Sequence, residues 1–186
     1  PDVPSDKETD NVSDVVAPAT EDQDAADNGI SLVAAANTYY VANNAAGGSD
    51  VRGDGSETTP FMTIGKAIEA AANEDEINIV LMSDISATQE LKFEDSSKTI
   101  NFSSNGSSNF KIQYTGSTPI GTESGFIKVT GGATVNFNGV DLYGSTGTYD
   151  GRVIYVADKG TVNLTNTTVT RGRVNNVTTM QGGAGA

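Results

Sequence analysis

The side chains best suited to chemistry in this sequence lie in its C-terminal third. The set comprises Asp141, Tyr143, Asp150, Arg152 and Tyr155. In sugar-cleaving enzymes a carboxyl group acts as acid or base beside a second charged group. Tyrosine rings in such a set can also stack on a sugar. The alternative for Asp150 is a structural one, since charged residues are common at turns between strands. We therefore predict a ligand-binding surface on these five residues and assign no catalytic residue.

The composition removes several classes of chemistry. The 186 residues include no Cys and no His, so the chain has no thiolate nucleophile, no imidazole base, no Ser-His-Asp triad and no zinc site of the usual kind. The absence of cysteine is compatible with an extracellular bacterial protein and also with a cytosolic one. The sequence has no run of about 18 apolar residues, so we predict no membrane span.

Negative charge is concentrated at the N-terminus. The formal net charge is −13, which argues against a nucleic-acid partner because phosphate binding requires clustered Lys and Arg. Residues 1–36 hold nine acidic side chains and one lysine, and they show no apolar periodicity before Ile30. Such a segment cannot bury enough apolar surface to fold. We predict a disordered acidic linker over residues 1–37.

The elements that would position the candidate set begin after this linker. Tyr39-Tyr40-Val41 is typical of a strand, and a glycine-rich loop follows it. Apolar residues then recur at i, i+3, i+4 and i+7, at Ile64, Ala67, Ile68 and Ala71, which predicts a short amphipathic helix. We predict that residues 38–76 form a strand, a loop and a helix that caps the open end of a sheet.

From Ile77 onward the sequence alternates between short strands and Gly, Ser, Asn or Asp turns. Residues 126–142 repeat at 153–169, so that Val135 corresponds to Val162 and Leu142 to Val169, each pair 27 residues apart. Three short strands inside one fixed period are typical of a three-sided solenoid. We predict an all-β fold with right-handed parallel β-helix coils over residues 77–186. The run Gly182–Ala186 predicts that these coils are truncated here and continue in a parent protein.

Alternation along each strand assigns its two sides. In both copies the apolar positions are predicted to face inward, and the polar positions outward. The inward set is Ile127, Val129, Val135, Phe137, Val140 and Leu142, followed by Ile154, Val156, Val162, Leu164, Thr167 and Val169. This assignment places Asn136 over Asn163 as a short asparagine ladder, and Lys128 beside Tyr155.

Several motifs resemble a known family. They are Tyr40-Val41, Gly48-Ser49-Asp50, Gly53-Asp54-Gly55-Ser56, Pro60-Phe61 and Thr63-Ile64. Together they resemble the opening motif of pectate-lyase-like right-handed β-helix proteins. Residues Gly160 to Val169 are similar to the repeats of large bacterial adhesin-like surface proteins. The resemblance covers residues 39–186 and implies the β-helix fold, but the family includes lyases, hydrolases, epimerases and non-enzymatic adhesins.

The glycine-rich loop contains two further motifs. Arg52-Gly53-Asp54 matches the integrin-recognition tripeptide, but Gly53 and Asp54 also belong to the Gly-Asp-Gly-Ser turn, and we interpret them as turn residues. Asp50, Asp54 and Glu57 could bind calcium through oxygen ligands. Their spacing does not match an EF-hand, and loop-stabilising turns are the alternative that we favour.

These observations predict a secreted or cell-surface bacterial module that binds polysaccharide, or a host-surface glycan or protein, without catalysis. Further β-helix coils of the parent protein would be its structural partners. No cofactor is predicted, apart from the calcium alternative. A second hypothesis is that the chain is the N-terminal part of a carbohydrate-active enzyme, a polysaccharide lyase or a hydrolase, with more carboxylates downstream. A third is an assembly or shell component.

Overall fold

The computed structural model describes residues 37–117, 120–121, 124–145 and 151–170. The predicted acidic linker lies outside these residues, except for Asn37. Asp150 and the C-terminal run Gly182–Ala186 also lie outside them.

Short strands dominate the described residues. One α-helix, α1 (Ile64–Ala70), and a 3-10 turn (Asn44–Ala46) lie between the first two strands. The strands are β1 (Thr38–Val41), β2 (Glu76–Leu81), β3 (Ile85–Ala87), β4 (Leu91–Phe93), β5 (Thr99–Ser104), β6 (Phe110–Tyr114), β7 (Gly125–Val129), β8 (Thr134–Asn138), β9 (Val140–Tyr143), β10 (Arg152–Val156), β11 (Thr161–Thr165) and β12 (Val169–Thr170).

The strands form three sheets, and every strand pair among the described residues is parallel. Sheet 1 has the order β1-β2-β5-β8-β11, sheet 2 the order β12-β9-β6-β3, and sheet 3 the order β10-β7-β4. From β2 onward the chain passes through sheets 1, 2 and 3 in turn, and one complete passage through the three sheets, counted from any of them, is called a round below. The chain is therefore mostly β with parallel sheets, which agrees with the predicted all-β class.

The predicted pairing of the last two rounds is confirmed. Val135 pairs with Val162, Ile127 with Ile154, and Leu142 with Val169. Tyr155 lies beside Lys128 in the same register. Parallel strands cannot be joined by a tight hairpin, so each strand from β2 to β9 reaches its later partner only after the chain has completed a round.

Apolar side chains from all three sheets meet in one core. The inward residues predicted for β7, β8 and β9 are buried, and Phe137 stacks on Phe102 with ring centroids 4.8 Å apart. The prediction is only partly confirmed for the following round, where Val156 and Leu164 are 45% and 40% exposed. Their strands, β10 and β11, are the outermost described strands of sheets 3 and 1, so these side chains have a neighbouring strand on one side only.

The predicted helix is confirmed and packs against β1 and β2. Thr63 caps its N-terminus, because the threonine side chain accepts a hydrogen bond from the backbone N–H of Lys66. Just beyond the last helical turn, the Lys98 ammonium donates to the carbonyl oxygens of Ala72 and Glu74, at 2.9 and 2.6 Å. The lysine that immediately precedes β5 thus satisfies carbonyl groups that follow the helix, which ties the end of the helix to the start of β5.

Candidate functional site

The structure divides the predicted binding residues between two sheets. Asp141 and Tyr143 lie on β9 in sheet 2, whereas Arg152 and Tyr155 lie on β10 in sheet 3. Asp150 lies outside the described residues. No single strand face therefore carries the four described members of the set.

Asp141 holds neighbouring segments of the chain together. One of its carboxylate oxygens, Oδ1, accepts hydrogen bonds from the Asn109 amide and from the backbone N–H of Thr168, both at 2.9 Å. Asn109 also donates to the carbonyl oxygen of Asn166. The carboxylate thus links three parts of sheet 2 and its turns, which is a structural use of the group.

Cations of the chain lie over the two candidate tyrosine rings. The Lys111 ammonium is 5.6 Å from the Tyr143 ring centroid, and the Arg152 guanidinium is 5.6 Å from the Tyr155 centroid. Lys111 also forms an ion pair with Asp84 at 3.3 Å. A sugar that stacked on these ring faces would have to share them with a cation that already interacts with the ring.

The outward face of sheet 3 is charged. Lys92 and Lys128 are neighbours in register, and they pair with Glu90 at 3.4 Å and with Glu94 at 2.9 Å. The hydrogen bond between Lys128 and Glu94 lowers the pKa of the Glu94 carboxyl and raises the pKa of the Lys128 ammonium. Both groups are therefore held in their charged forms, and the face carries paired charges of both signs.

The outward face of sheet 1 differs in its chemistry. Asn163 donates to Asn136 at 2.7 Å, Asn136 donates to Asn101 at 2.7 Å, and Asn101 donates to Asn78 at 3.1 Å. We call this column of four side chains the amide ladder. The predicted Asn136–Asn163 contact is confirmed, and the structure extends it by two strands that the sequence comparison had missed.

Two more columns flank the amide ladder. Register places Thr99, Thr134 and Thr161 on one side. On the other side it places Ser103, Asn138 and Thr165. We call the outward side chains of β2, β5, β8 and β11 the neutral face. Its only carboxylate is Glu76, which accepts a hydrogen bond from Asn101 at 2.9 Å, and these four strands contain no Lys or Arg.

Comparison with known proteins does not assign a family. No protein-family model, curated protein or solved structure matches the chain. Within the described residues, no helix is long and apolar enough to cross a bilayer.

The carboxylates of the glycine-rich loop bind the chain itself. Asp50 accepts from the backbone N–H groups of Met62 and Thr63, at 2.8 and 2.9 Å, and from the Thr63 hydroxyl. Glu57 accepts from the Asn105 amide at 3.1 Å. Among the described residues no group of three acidic side chains has an arrangement that could hold a metal ion. These contacts support the turn interpretation of the loop.

Asp54, the last residue of the Arg-Gly-Asp tripeptide, is part of a local turn. Its carboxylate accepts from the Thr59 hydroxyl and from the backbone N–H of Ser56, the latter at 2.9 Å. The Thr59 hydrogen bond, followed by the Ser56 hydrogen bonds, lowers the pKa of Asp54 from 3.8 to about 2. Charged Asp54 therefore stabilises the folded loop.

This shift predicts how the stability of the folded loop depends on pH. Since the folded pKa of Asp54 lies below its ordinary value of 3.8, its contribution is complete above that value and is lost as the pH falls towards 2. We expect Asp54→Asn to lower the melting temperature near neutral pH, and the difference from wild type to shrink between about pH 4 and pH 2. Thermal unfolding at stepped pH measures this difference. A difference that stayed constant down to pH 2 would contradict the assignment.

Proposed function

We propose that the chain is a right-handed parallel β-helix that serves as a non-catalytic adhesion module, secreted or displayed on a bacterial cell surface, and that it binds glycan. Two features support the fold. The chain passes through three sheets in a fixed order, and each strand from β2 to β9 pairs in parallel with the strand one round later. A chain that repeats this path builds a three-sided solenoid. The resemblance of residues 39–186 to pectate-lyase-like proteins supports the same assignment.

The observation that carries the function is the in-register display of outward side chains. Because strands stack without slipping, each outward position becomes a column, as in Asn101, Asn136 and Asn163. Side chains held in this way lose little conformational freedom when they bind a ligand, which favours recognition of an extended partner. A rigid, repetitive and polar surface is suited to adhesion.

The described contacts favour a structural role over a catalytic one for the predicted set. Polysaccharide cleavage requires a carboxyl group and a second acid, base or cation at one point of the substrate. Asp141 and Arg152 lie on different sheets, and one oxygen of Asp141 already accepts two hydrogen bonds from the chain. The set is therefore better explained as part of the scaffold and its surface.

A glycan array probed with the fluorescently labelled chain tests the proposal. We expect saturable binding to at least one class of polysaccharide, together with no formation of unsaturated or reducing-end products when the same polymers are incubated with the chain, with and without calcium. The adhesion proposal would be overturned if the chain bound no glycan on the array, and its non-catalytic part would be overturned by measurable turnover of a polymer.

A further inference from the structure

The neutral face of sheet 1 has the hydrogen-bonding character of a carbohydrate-binding surface. We infer that it binds an uncharged, hydroxyl-rich polysaccharide that lies across neighbouring strands. This inference rests on the proposed adhesive function and specifies both its surface and the chemistry of its ligand.

The first support is the balance of donors and acceptors. An asparagine amide offers two N–H donors and two acceptor positions on its oxygen. Asn136 uses one donor towards Asn101 and one acceptor towards Asn163, so that one donor and one acceptor remain for a ligand. Sugar hydroxyls both donate and accept, and therefore match a surface that offers both.

The second support comes from the hydroxyl column beside the ladder. Thr99, Thr134 and Thr161 make no side-chain hydrogen bond to any other part of the chain that the structure describes, and Thr161 is exposed. Their backbones are paired in the sheet, so only the side chains are available. A bound polysaccharide could therefore replace the water on these hydroxyls without breaking a contact in the protein.

The third support is charge. An acidic polysaccharide requires cations to offset its carboxylates, and β2, β5, β8 and β11 contain neither Lys nor Arg. The cations that lie on sheet 3, Lys92 and Lys128, are already paired with glutamates. The face itself has one carboxylate, Glu76, at its edge. An uncharged ligand is the one that this distribution favours.

The fourth support is spacing. Neighbouring strands lie about 4.8 Å apart, and alternate residues of one strand about 6.6 Å apart, so the three columns form a lattice of polar groups. The ladder hydrogen bonds hold the amides in this lattice before a ligand arrives. The column of Ser103, Asn138 and Thr165 continues through Val80 to Tyr40 on β1. The tyrosine ring gives the lattice a part-apolar end. A polymer that repeats its own hydroxyls gains many weak contacts at once, so affinity is expected to rise with chain length.

The double variant Thr134→Val, Thr161→Val tests the inference. Valine keeps the branched shape that suits a strand and replaces only the hydroxyl with a methyl group. The matched control is Thr170→Val on β12, which makes the same change on sheet 2. Thermal unfolding verifies that both variants fold, and affinity electrophoresis in mannan, xylan, β-glucan and polygalacturonate measures binding.

We expect the wild-type chain to bind at least one of the three neutral polymers and not polygalacturonate. The double variant should bind that polymer about tenfold more weakly, since two hydrogen bonds are lost, and Thr170→Val should bind it as wild type does. Equal binding by all three proteins would overturn the inference and leave the adhesion proposal standing. Binding to polygalacturonate alone would overturn the uncharged ligand, and a wild-type chain that binds no glycan would overturn both.

Discussion

Phe137→Ala is expected to lower the free energy of unfolding by about 3–5 kcal/mol, because it removes a large side chain from a closed core. Phe137 is 1% exposed and stacks on Phe102 with an interplanar angle of 12°. Phe102 in turn packs edge-on against Phe93 of sheet 3. The cavity would lie where two sheets meet, and the backbone there is held by strands on both sides. Since domains of this size are stable by only about 5–15 kcal/mol, the loss is a large fraction of the total.

The matched control is Leu164→Ala in the same column. Leu164 pairs with Phe137 in register and is 40% exposed, so its removal leaves no closed cavity and should cost less than about 2 kcal/mol. Urea unfolding monitored by circular dichroism gives the loss of unfolding free energy for both variants. Equal slopes of the two transitions verify that unfolding exposes the same surface in each case. If the two variants lost the same stability, Phe137 would not lie in a continuous core.

Gly48→Ala is the second substitution with a large expected effect. Gly48 is buried in the glycine-rich loop, where a Cβ would overlap the carbonyl oxygen of Ala42 and lie 3.0 Å from that of Phe61. The backbone of Ala42 donates to Phe61 at 2.9 Å, so the methyl group would push against a paired segment. We expect a loss at or above the upper end of the range of about 1–3 kcal/mol that is typical of overpacking.

The same substitution at Gly121 is the control for Gly48. A Cβ at Gly121 would have no atom of the described residues within 4 Å, so Gly121→Ala should leave the melting temperature nearly unchanged. The glycine-rich loop also hydrogen-bonds along β1, through Tyr40 to Gly55 and Phe61, and thereby covers an otherwise free strand edge. We therefore expect Gly48→Ala to aggregate more readily than wild type in light-scattering measurements. A stable, monomeric Gly48→Ala protein would contradict this account of the loop.

Sequence periodicity predicted the register of the last strands because one spacing, 27 residues, relates β7 to β10, β8 to β11 and β9 to β12. Asn136 and Asn163 are 27 residues apart, so their neighbours align without gaps. The preceding rounds are unequal: 23 residues separate Asn78 from Asn101, and 35 separate Asn101 from Asn136. A fixed period cannot detect these pairs, although the pattern Thr-x-Asn at Thr99 and Thr134 is the signal that could have found them.

The proposed binding surface could not be predicted from the sequence in the way that the strands could. Asp141, Tyr143, Arg152 and Tyr155 were grouped because charged and aromatic residues suggest chemistry, but the connection between β9 and β10 places the two pairs on different sheets. The neutral face contains no residue type that attracts attention in a sequence. The neutral face becomes a candidate binding surface only because the strand register brings four asparagines into contact. That register is a property of the sheet and not of any one segment.

The unequal rounds have a practical consequence for protein engineering. Twelve more residues separate Asn101 from Asn136 than separate Asn78 from Asn101, yet the amides still meet at 2.7 and 3.1 Å. Eight of these twelve residues lie in the corners between sheets, and the other four lengthen β6 and β7 relative to β3 and β4. The corners take up their share without disturbing the pairing, since lengthening a surface loop adds little closure entropy. Such corners are suitable places to graft a peptide epitope or an enzyme tag, which the scaffold would present without loss of its pairing.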